Sequence, residues 1–260
     1  MSVPRESPIL RVEELRKSFG GVAAVAGATF DVLPGSMTAL IGPNGAGKTT
    51  AFDLISGFVR PDAGRVIFAS RTIGGRAPEA IARHGLVRTF QLTRVFRAMT
   101  VRENLLVGSQ RHPGERLLHG ALRPIAARRH ERAAARQADE ILESFGLAAH
   151  CNELADNLSG GQRKLVELAR VVMARPKLVL LDEPFAGVNP TLTKELLLHI
   201  KRLRDEGITV LFVEHDLDLV MGHADHVIVM ASGSVLASGP PDLIRKDERV
   251  LEAYIGIETS

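Results

Sequence analysis

One run of residues combines the glycines, the lysine and the hydroxyl groups that phosphate binding requires. The run reads Gly42-Pro43-Asn44-Gly45-Ala46-Gly47-Lys48-Thr49-Thr50. Its spacing of two glycines, a lysine and a threonine is that of a P-loop when the run follows a strand and begins a helix. Apolar residues 37–41 predict the strand, and residues 51–55 can continue the helix. The sequence therefore predicts a loop that holds phosphate groups.

Each part of this loop has a defined task. Glycines allow the tight turn that brings successive backbone N–H groups to a β-phosphate, and the helix that follows points its positive end at the same place. We expect Lys48 to bridge the β- and γ-phosphates and the Thr49 hydroxyl to coordinate Mg²⁺. The loop thus predicts a nucleoside triphosphate and magnesium as its ligands.

Two carboxylates follow a second apolar run. Residues 178–181 are typical of a buried parallel strand, and Asp182 and Glu183 come directly after them. Ligands of parallel sheets bind at the carboxyl ends of the strands. Downstream of a P-loop, we interpret Asp182 as holding Mg²⁺ through water and Glu183 as polarising the attacking water. Without the P-loop, such a pair is more often a solvated turn or a helix cap.

Two further polar residues end predicted strands. His215 follows the apolar run 208–213 and can hydrogen-bond a γ-phosphate in its neutral or protonated form. Gln91 follows residues 85–90 and can reach Mg²⁺ or the attacking water with its side-chain carbonyl, although by itself such a glutamine is more often a solvated loop residue. The candidate catalytic residues are Glu183, His215 and Gln91. The candidate metal-binding residues are Thr49, Gln91 and Asp182.

A second glycine-containing motif precedes a predicted helix. It reads Leu158-Ser159-Gly160-Gly161-Gln162, and apolar residues at helical spacing follow it. Ser159 and Gln162 match a capping box, so one interpretation is simply a helix start. The same residues also favour an anion site, because amides are exposed at a helix N-terminus, the glycines permit close approach and the serine hydroxyl can bind a phosphate oxygen.

The elements around these motifs change in character along the chain. Residues 9–19 and 22–33 predict an antiparallel β layer beside the P-loop. Helical patterns dominate residues 92–157, where Thr100 and Glu103 match a capping box and residues 128–145 predict a long amphipathic helix. The second half of the chain returns to buried strands, which end in a hairpin near Gly233 and short C-terminal helices.

Composition and charge exclude several classes of protein. The 33 basic and 30 acidic residues give a net charge of only +3, and with no Trp and one Tyr they make no case for nucleic-acid binding. No apolar run reaches the roughly 18 residues of a membrane span, and residues 1–7 lead into no signal-peptide core. Cys151 is the only cysteine, which fits a reducing cytoplasm and excludes a multi-thiolate metal site.

Taken in chain order, these motifs closely resemble those of an ABC-type ATPase. Residues 42–50 match Walker A, Gln91 the Q-loop, 158–162 the LSGGQ signature, 178–183 Walker B with its glutamate, and His215 the switch histidine. The signature after a helical insert is highly specific, because other P-loop classes lack it. The resemblance implies an α/β fold with a RecA-like P-loop core, a mostly parallel sheet, an antiparallel β subdomain and an inserted α-helical subdomain. The implied single domain is 8–256, with 8–91 and 158–256 as core and 92–157 as helical subdomain.

The resemblance also implies ATP binding and hydrolysis with Mg²⁺. A second subunit would cap the γ-phosphate with its signature motif, so that ATP joins a head-to-tail dimer. Phe19 would stack on adenine, in a place where many relatives carry tyrosine. The residues implied to bind nucleotide are Phe19, Gly42, Pro43, Asn44, Gly45, Ala46, Gly47, Lys48, Thr49, Thr50, Ser159, Gly160, Gly161 and Gln162.

A finer resemblance is to the ATP-binding subunits of branched-chain amino acid transport. It rests on residues 87–91, 99–105, 182–190 and 253–256, although Asn189 stands where the D-loop often has aspartate. It implies an importer with separate transmembrane permease subunits, a second ATP-binding subunit of the same or a different kind and, indirectly, a periplasmic or extracellular solute-binding protein. The chain would then lie on the cytoplasmic face of the bacterial cell membrane.

The alternative function is that of a soluble ABC ATPase acting on nucleic acid or the ribosome. That class would be expected to carry two cassettes in one chain, a long coiled-coil insertion or zinc-binding cysteines, and the sequence has none of these. A regulatory module that binds ATP without hydrolysing it is a further alternative, against which Glu183 and His215 argue.

Overall fold

The computed structural model describes residues 7–89, 95–109 and 124–255. It divides into two compact units, of which the first comprises Met1–Arg88, Lys177–Gly187 and Leu197–Ser260 and the second Thr89–Pro176 and Val188–Leu196. The subdomain boundaries predicted from the sequence stay a prediction. Gln91 lies outside the described residues.

The described residues form ten strands and nine α-helices. The strands are β1 (Leu10–Phe19), β2 (Val22–Val32), β3 (Met37–Ile41), β4 (Ala63–Phe68), β5 (Arg71–Thr72), β6 (Leu86–Arg88), β7 (Leu178–Asp182), β8 (Thr209–Val213), β9 (His226–Ala231) and β10 (Ser234–Gly239). The α-helices are α1 (Lys48–Ser56), α2 (Pro78–Arg83), α3 (Val101–Val107), α4 (Pro124–Ser144), α5 (Gly160–Met173), α6 (Pro190–Asp205), α7 (Leu217–His223), α8 (Pro241–Ile244) and α9 (Glu248–Ile255).

A six-stranded sheet forms the centre of the first unit, in the order β10-β9-β3-β8-β7-β6. Strand β10 pairs with β9 in antiparallel fashion, and every other neighbouring pair is parallel. Strands β3, β7 and β8 are buried along their whole length, as expected for a parallel sheet covered on both faces. The carboxyl ends of these three strands lead directly into the P-loop, Glu183 and Glu214, so the predicted site residues follow adjacent strands.

The predicted antiparallel layer is a four-stranded sheet in the order β2-β1-β4-β5. Its pairs β1–β2, β1–β4 and β4–β5 are all antiparallel. Apolar side chains of this sheet, among them Leu10, Val12 and Phe68, belong to the same buried cluster as Phe52 and Ile55 of α1. This shared core fixes the layer against the helix that follows the P-loop.

Helices α3, α4 and α5 pack against one another in the second unit. The capping box predicted at the start of α3 is confirmed, because the Glu103 N–H donates to Thr100 Oγ1 over 3.2 Å and the Thr100 N–H donates to Glu103 Oε2 over 2.7 Å. Helix α4 begins at Pro124 rather than at 128, since proline is well suited to the first helical turn. Within the described ranges, no helix combines the length and the apolar composition needed to cross a bilayer.

Candidate functional site

The P-loop is held so closely by its neighbours that two of its glycines have no substitute. Gly42 has φ +145°, and a Cβ on it would lie 2.0 Å from the carbonyl oxygen of Met230. Gly47 has φ +95°, and a Cβ on it would lie 2.3 Å from the carbonyl oxygen of Ala24. Both the backbone angles and the close approach therefore require glycine at these two positions.

The turn between β9 and β10 connects the P-loop to the antiparallel layer. The Gly233 N–H donates to the Ala46 carbonyl over 3.1 Å, and the Ala26 N–H donates to the Gly233 carbonyl over 2.7 Å. Gly233 thus joins the loop to β2 through two backbone hydrogen bonds. This connection explains why residues far from the P-loop in sequence are needed to fix its shape.

Lys48 lies inside the loop, with only 6% of its surface exposed. Its Nζ donates to the carbonyl oxygens of Gly42 over 2.7 Å and Pro43 over 2.9 Å. Burial lowers the pKa of Lys48, and the nearby carboxylates of Glu183 and Asp182 act in the opposite direction. The ammonium group therefore sits in a partly dehydrated place, where an anionic phosphate would be bound strongly.

Helix α1 begins beside this lysine without a side-chain cap. Its N-cap residue, Gly47, makes no side-chain hydrogen bond, so the first amides of the helix are not satisfied by a capping side chain. Thr49 is exposed and Thr50 is half-buried on the first turn. Exposed Asn44 and Gly45 complete the surface of the loop. Amides, a hydroxyl and a buried ammonium at one helix end are groups that can bind an anion.

Asp182 is 97% buried at the end of β7, with 3% of its surface exposed. Its Oδ2 accepts a hydrogen bond from Arg88 Nη2 over 2.8 Å, whereas its buried Oδ1 has no hydrogen-bond partner. Such an oxygen suits a metal-bound water. No group of three or more His, Cys, Asp and Glu side chains in the described part of the chain could hold a metal ion by itself. Magnesium is typically held by one or two carboxylates together with substrate phosphates, so Thr49 and Asp182 fit this ion.

Arg88 is the centre of a buried polar network that the sequence did not reveal. Besides Asp182, its guanidinium contacts the carboxylate of Asp53 and donates to Ser56 Oγ over 3.1 Å. The network ties the last turns of α1 to the end of β7. Its parts are distant in sequence, so no local pattern predicts that Arg88 contacts them.

Glu183 and His215 form a direct pair. The distance between Glu183 Oε1 and His215 Nε2 is 2.9 Å, with both side chains partly exposed. Glu183 also adopts φ +48°, which is uncommon for a residue with a side chain, and its N–H donates to the Val213 carbonyl over 3.1 Å. Backbone strain of this kind is concentrated at functional sites. Two of the three predicted catalytic residues are therefore in contact.

Phe19 ends β1 with 49% of its surface exposed. Lys17 Nζ lies 5.4 Å from the centre of its ring. An exposed ring at a strand end is available for stacking on a base, and the neighbouring ammonium group forms an ion pair with Asp62 over 2.7 Å. Adenine stacking at Phe19 stays a prediction.

The signature motif belongs to the second unit. Helix α5 begins at Gly160, and the predicted capping box is confirmed: the Gln162 N–H donates to Ser159 Oγ over 3.2 Å, and the Ser159 N–H donates to Gln162 Oε1 over 2.9 Å. A Cβ on Gly160 would meet nothing within 4 Å, whereas a Cβ on Gly161 would lie 2.8 Å from Leu192 Cδ2. Gly160 therefore faces open space, whereas Gly161 packs against the end of the Leu192 side chain.

His150 contacts the side chain of Gln162, the glutamine of this capping box. Its Nε2 lies 3.0 Å from Gln162 Nε2, and its Nδ1 lies 3.0 Å from Glu153 Oε1. Because the Gln162 amide nitrogen can only donate, His150 Nε2 must accept, and Nδ1 then carries the proton that it donates to Glu153. The contacts assign this histidine as a neutral tautomer that orients the signature glutamine.

Comparison with known proteins decides the family. Residues 25–186 match the family model of ABC transporters. The chain belongs to the ABC transporter family. The neighbouring segment 234–258 matches a second model, that of branched-chain amino acid ATP-binding cassette transporters. The resemblance predicted from the motifs is thus confirmed.

Curated relatives match this ABC ATPase over nearly its whole length. The high-affinity branched-chain amino acid transport ATP-binding protein BraF of Pseudomonas aeruginosa is 44% identical over 250 residues, covering 96% of this chain and 98% of BraF. LivG of Escherichia coli, which carries the same description, is 42% identical with the same coverage. A probable LivG of Archaeoglobus fulgidus is 42% identical over 97% of both chains.

Solved structures agree on the fold. A nucleotide-free ATP-binding cassette from an ABC transporter superposes with a TM-score of 0.82 at 39% identity, covering 96% of this chain and all of that one. The ADP conformation of a cassette from an ABC transporter has the same TM-score at 37% identity.

The predicted α/β P-loop fold is confirmed, and the chain is an ATP-binding, ATP-hydrolysing subunit of its family. The relatives do not favour the alternative of an ATPase acting on nucleic acid or the ribosome.

The proximity of Tyr254 to the P-loop was not predicted from the sequence. It lies on α9, within the segment that matches the transport subfamily. Burial raises the pKa of Tyr254 to about 12, and the backbone N–H of Gly42 in the P-loop acts in the opposite direction. It is the only tyrosine of the chain and lies in a segment of the family resemblance, but nothing local in the sequence links it to residue 42.

Proposed function

We propose that this chain powers an importer for branched-chain amino acids or closely related solutes. The match of residues 234–258 carries this proposal, because that segment lies outside the general ATPase motifs. The names of the relatives support it, since each is described as a branched-chain amino acid transport ATP-binding protein. Other amino acids, amides and urea are alternative solutes for the same reaction.

The contacts of the described site residues support a role for each of them. The P-loop amides and Lys48 bind the β- and γ-phosphates, and exposed Phe19 stacks on adenine. Glu183 polarises the attacking water, and His215, 2.9 Å away, orients that carboxylate and senses the γ-phosphate. Gln91 completes the set from the sequence motif alone.

Magnesium is the metal that suits the chain's donors. Thr49 would bind it directly, Asp182 would hold it through water and Gln91 would contribute its carbonyl. When bound, the ion supplies neutralisation of charge on the phosphate oxygens. Arg88 keeps the Asp182 carboxylate oriented by holding one of its two oxygens and leaving the other available.

The signature motif completes the nucleotide site of a second subunit. Ser159 and Gln162 cap α5, Gly160 faces open space, and the helix end exposes amides to an incoming phosphate. Two copies of this chain, or this chain and a related ATPase, would close head-to-tail on ATP and separate after hydrolysis. Each cycle would move separate transmembrane permease subunits, with the chain on the cytoplasmic face of the membrane.

Reconstitution tests the proposed function. The chain is co-purified with candidate permease subunits, placed in liposomes with a solute-binding protein, and assayed for uptake of labelled leucine with ATP on the side of the chain. We expect ATP-dependent uptake that the Glu183→Gln chain does not support. Labelled urea in the same liposomes tests the alternative solute. Co-purification with ribosomes or nucleic acid, and no uptake of either solute, would contradict the proposal.

A further inference from the structure

Glu214 is a buried carboxylate for which the site has no assigned use. It follows β8 directly and has only 5% of its surface exposed. Its Oε1 accepts a hydrogen bond from the Phe185 N–H over 3.0 Å, and its Oε2 accepts one from the His215 N–H over 3.1 Å. A single side chain therefore connects the loop after β7 to the loop after β8.

These two loops carry the Glu183–His215 pair. Phe185 is two residues after Glu183, and the turn between them is tight because the Ala186 N–H donates to the Glu183 carbonyl over 3.1 Å. His215 is anchored at its own N–H. The carboxylate of Glu214 thus fixes the backbone on both sides of the 2.9 Å contact between Glu183 and His215.

The hydrogen bonds of the Glu214 carboxylate and the cost of burying it indicate that it does not serve only to fill space. Burial raises the pKa of Glu214, nearby Glu183 acts in the same direction, and the two backbone N–H groups and His215 oppose them. An apolar side chain of similar size would fill the space without the cost of dehydrating a carboxylate. What only the carboxylate provides is two acceptors that point to two different loops.

We propose that Glu214 is a positioning residue for ATP hydrolysis: its two carboxylate oxygens set the distance between Glu183 and His215. The inference rests on the proposed roles of those two residues and adds a third, which touches neither water nor phosphate. Loss of one acceptor releases one loop, so the general base and the switch histidine no longer meet in the required geometry. ATP binding uses the P-loop and is not affected.

The test is a double-mutant cycle. Glu214→Gln keeps the size of the side chain but turns one acceptor into an amide that faces a backbone N–H. We expect kcat to fall by about tenfold or more, as expected for a misplaced catalytic group, while the Kd for a fluorescent ATP analogue stays within about twofold. Glu206→Gln, the same change at an exposed position of the same unit, is the matched control and should leave both values unchanged.

Coupling distinguishes positioning from general destabilisation. If Glu214 acts through Glu183, adding Glu214→Gln to Glu183→Gln should lower kcat no further, because residues that act as a unit are not additive. A normal kcat in Glu214→Gln, or an additive loss in the double variant, would overturn the inference. Should Glu214→Gln not fold, Glu214→Asp, which is too short to reach both loops, takes its place with the same expectations.

The outcome also separates this inference from the proposed function. If Glu183→Gln and His215→Ala both hydrolyse ATP at the wild-type rate, the proposed catalytic site is wrong and the inference falls with it. If both lose activity and Glu214→Gln does not, only the role of Glu214 is wrong.

Discussion

Arg88 and Asp182 form a buried ion pair across 94 residues of sequence, with Nη2 2.8 Å from Oδ2. The pair joins the carboxyl end of β7 to α1, because the same guanidinium also contacts Asp53 of α1. Oδ2 of Asp182 accepts this hydrogen bond, whereas the buried Oδ1 has no hydrogen-bond partner. The arrangement shows how one carboxylate can serve both the fold and the proposed metal site.

Removing this arginine should destabilise the fold. Arg88→Met leaves a buried carboxylate without its partner, which typically costs about 3 kcal/mol or more of unfolding free energy. Urea denaturation of the purified chain measures the change. Arg11→Met, which breaks an exposed pair with Asp31, is the control and should change the stability far less. Equal losses of unfolding free energy in the two variants would show that the buried network stabilises the fold no more than an exposed ion pair does.

The close fit of the P-loop predicts a difference between two glycines. Gly47→Ala and Gly207→Ala both place a side chain at positive φ, +95° and +86°, but only the first also places Cβ against a backbone oxygen. Gly207→Ala should cost about 1 kcal/mol in stability and leave ATP binding unchanged. Gly47→Ala should weaken ATP binding by at least about tenfold, because the loop must shift. Titration with a fluorescent ATP analogue measures both affinities, and equal affinities would contradict the fit.

The single tyrosine gives a pH-dependent signal from the P-loop. The pKa of Tyr254 is raised to about 12 from an ordinary value of 10.0, so folding favours the neutral phenol. The stability that this shift provides is complete below pH 10 and is lost as the pH rises towards 12. Tyr254→Phe should therefore lose less stability than the wild type across this window.

Tyrosinate absorbance checks this directly, because the chain has one Tyr and no Trp. In the folded protein the ionisation midpoint should lie well above 10.0, and in concentrated urea it should return towards 10.0. The folded state must be verified by circular dichroism at each pH. A midpoint near 10.0 with the fold intact would show that Tyr254 does not pack as described.

Local patterns in the sequence predicted much of the fold. The P-loop between β3 and α1, the buried strands β7 and β8, and the capping boxes at Thr100 and Ser159 were all found, because each depends on residues within a few positions of one another. Helix α6 was missed even though Asn189 caps it, with the Leu192 N–H donating to Asn189 Oδ1 over 2.9 Å. The family resemblance identifies the residues before this helix as a D-loop and gives no bounds for a helix. Helix α7 was also missed, although Asp216 caps it. The residues before it were interpreted only through the switch histidine, His215.

The contacts that join distant segments could not be predicted from one sequence. The motifs identify His215 but not its neighbour Glu214, whose partner Phe185 lies 29 residues away. Tyr254 and Gly42 are separated by most of the chain. Neither pairing leaves a local signal, because the sheet order decides which strand ends become neighbours. The sequence identifies the chemical groups of the site, and the fold supplies their supports.

We propose that Glu183 activates water for ATP hydrolysis at a site that binds ATP without it. The direct measurement is phosphate release by the Glu183→Gln chain, together with its affinity for ATP and its size by light scattering. We expect unchanged ATP binding, an ATP-dependent dimer and loss of nearly all turnover, because binding and association do not require the base. Hydrolysis at the wild-type rate by Glu183→Gln would contradict this role of Glu183.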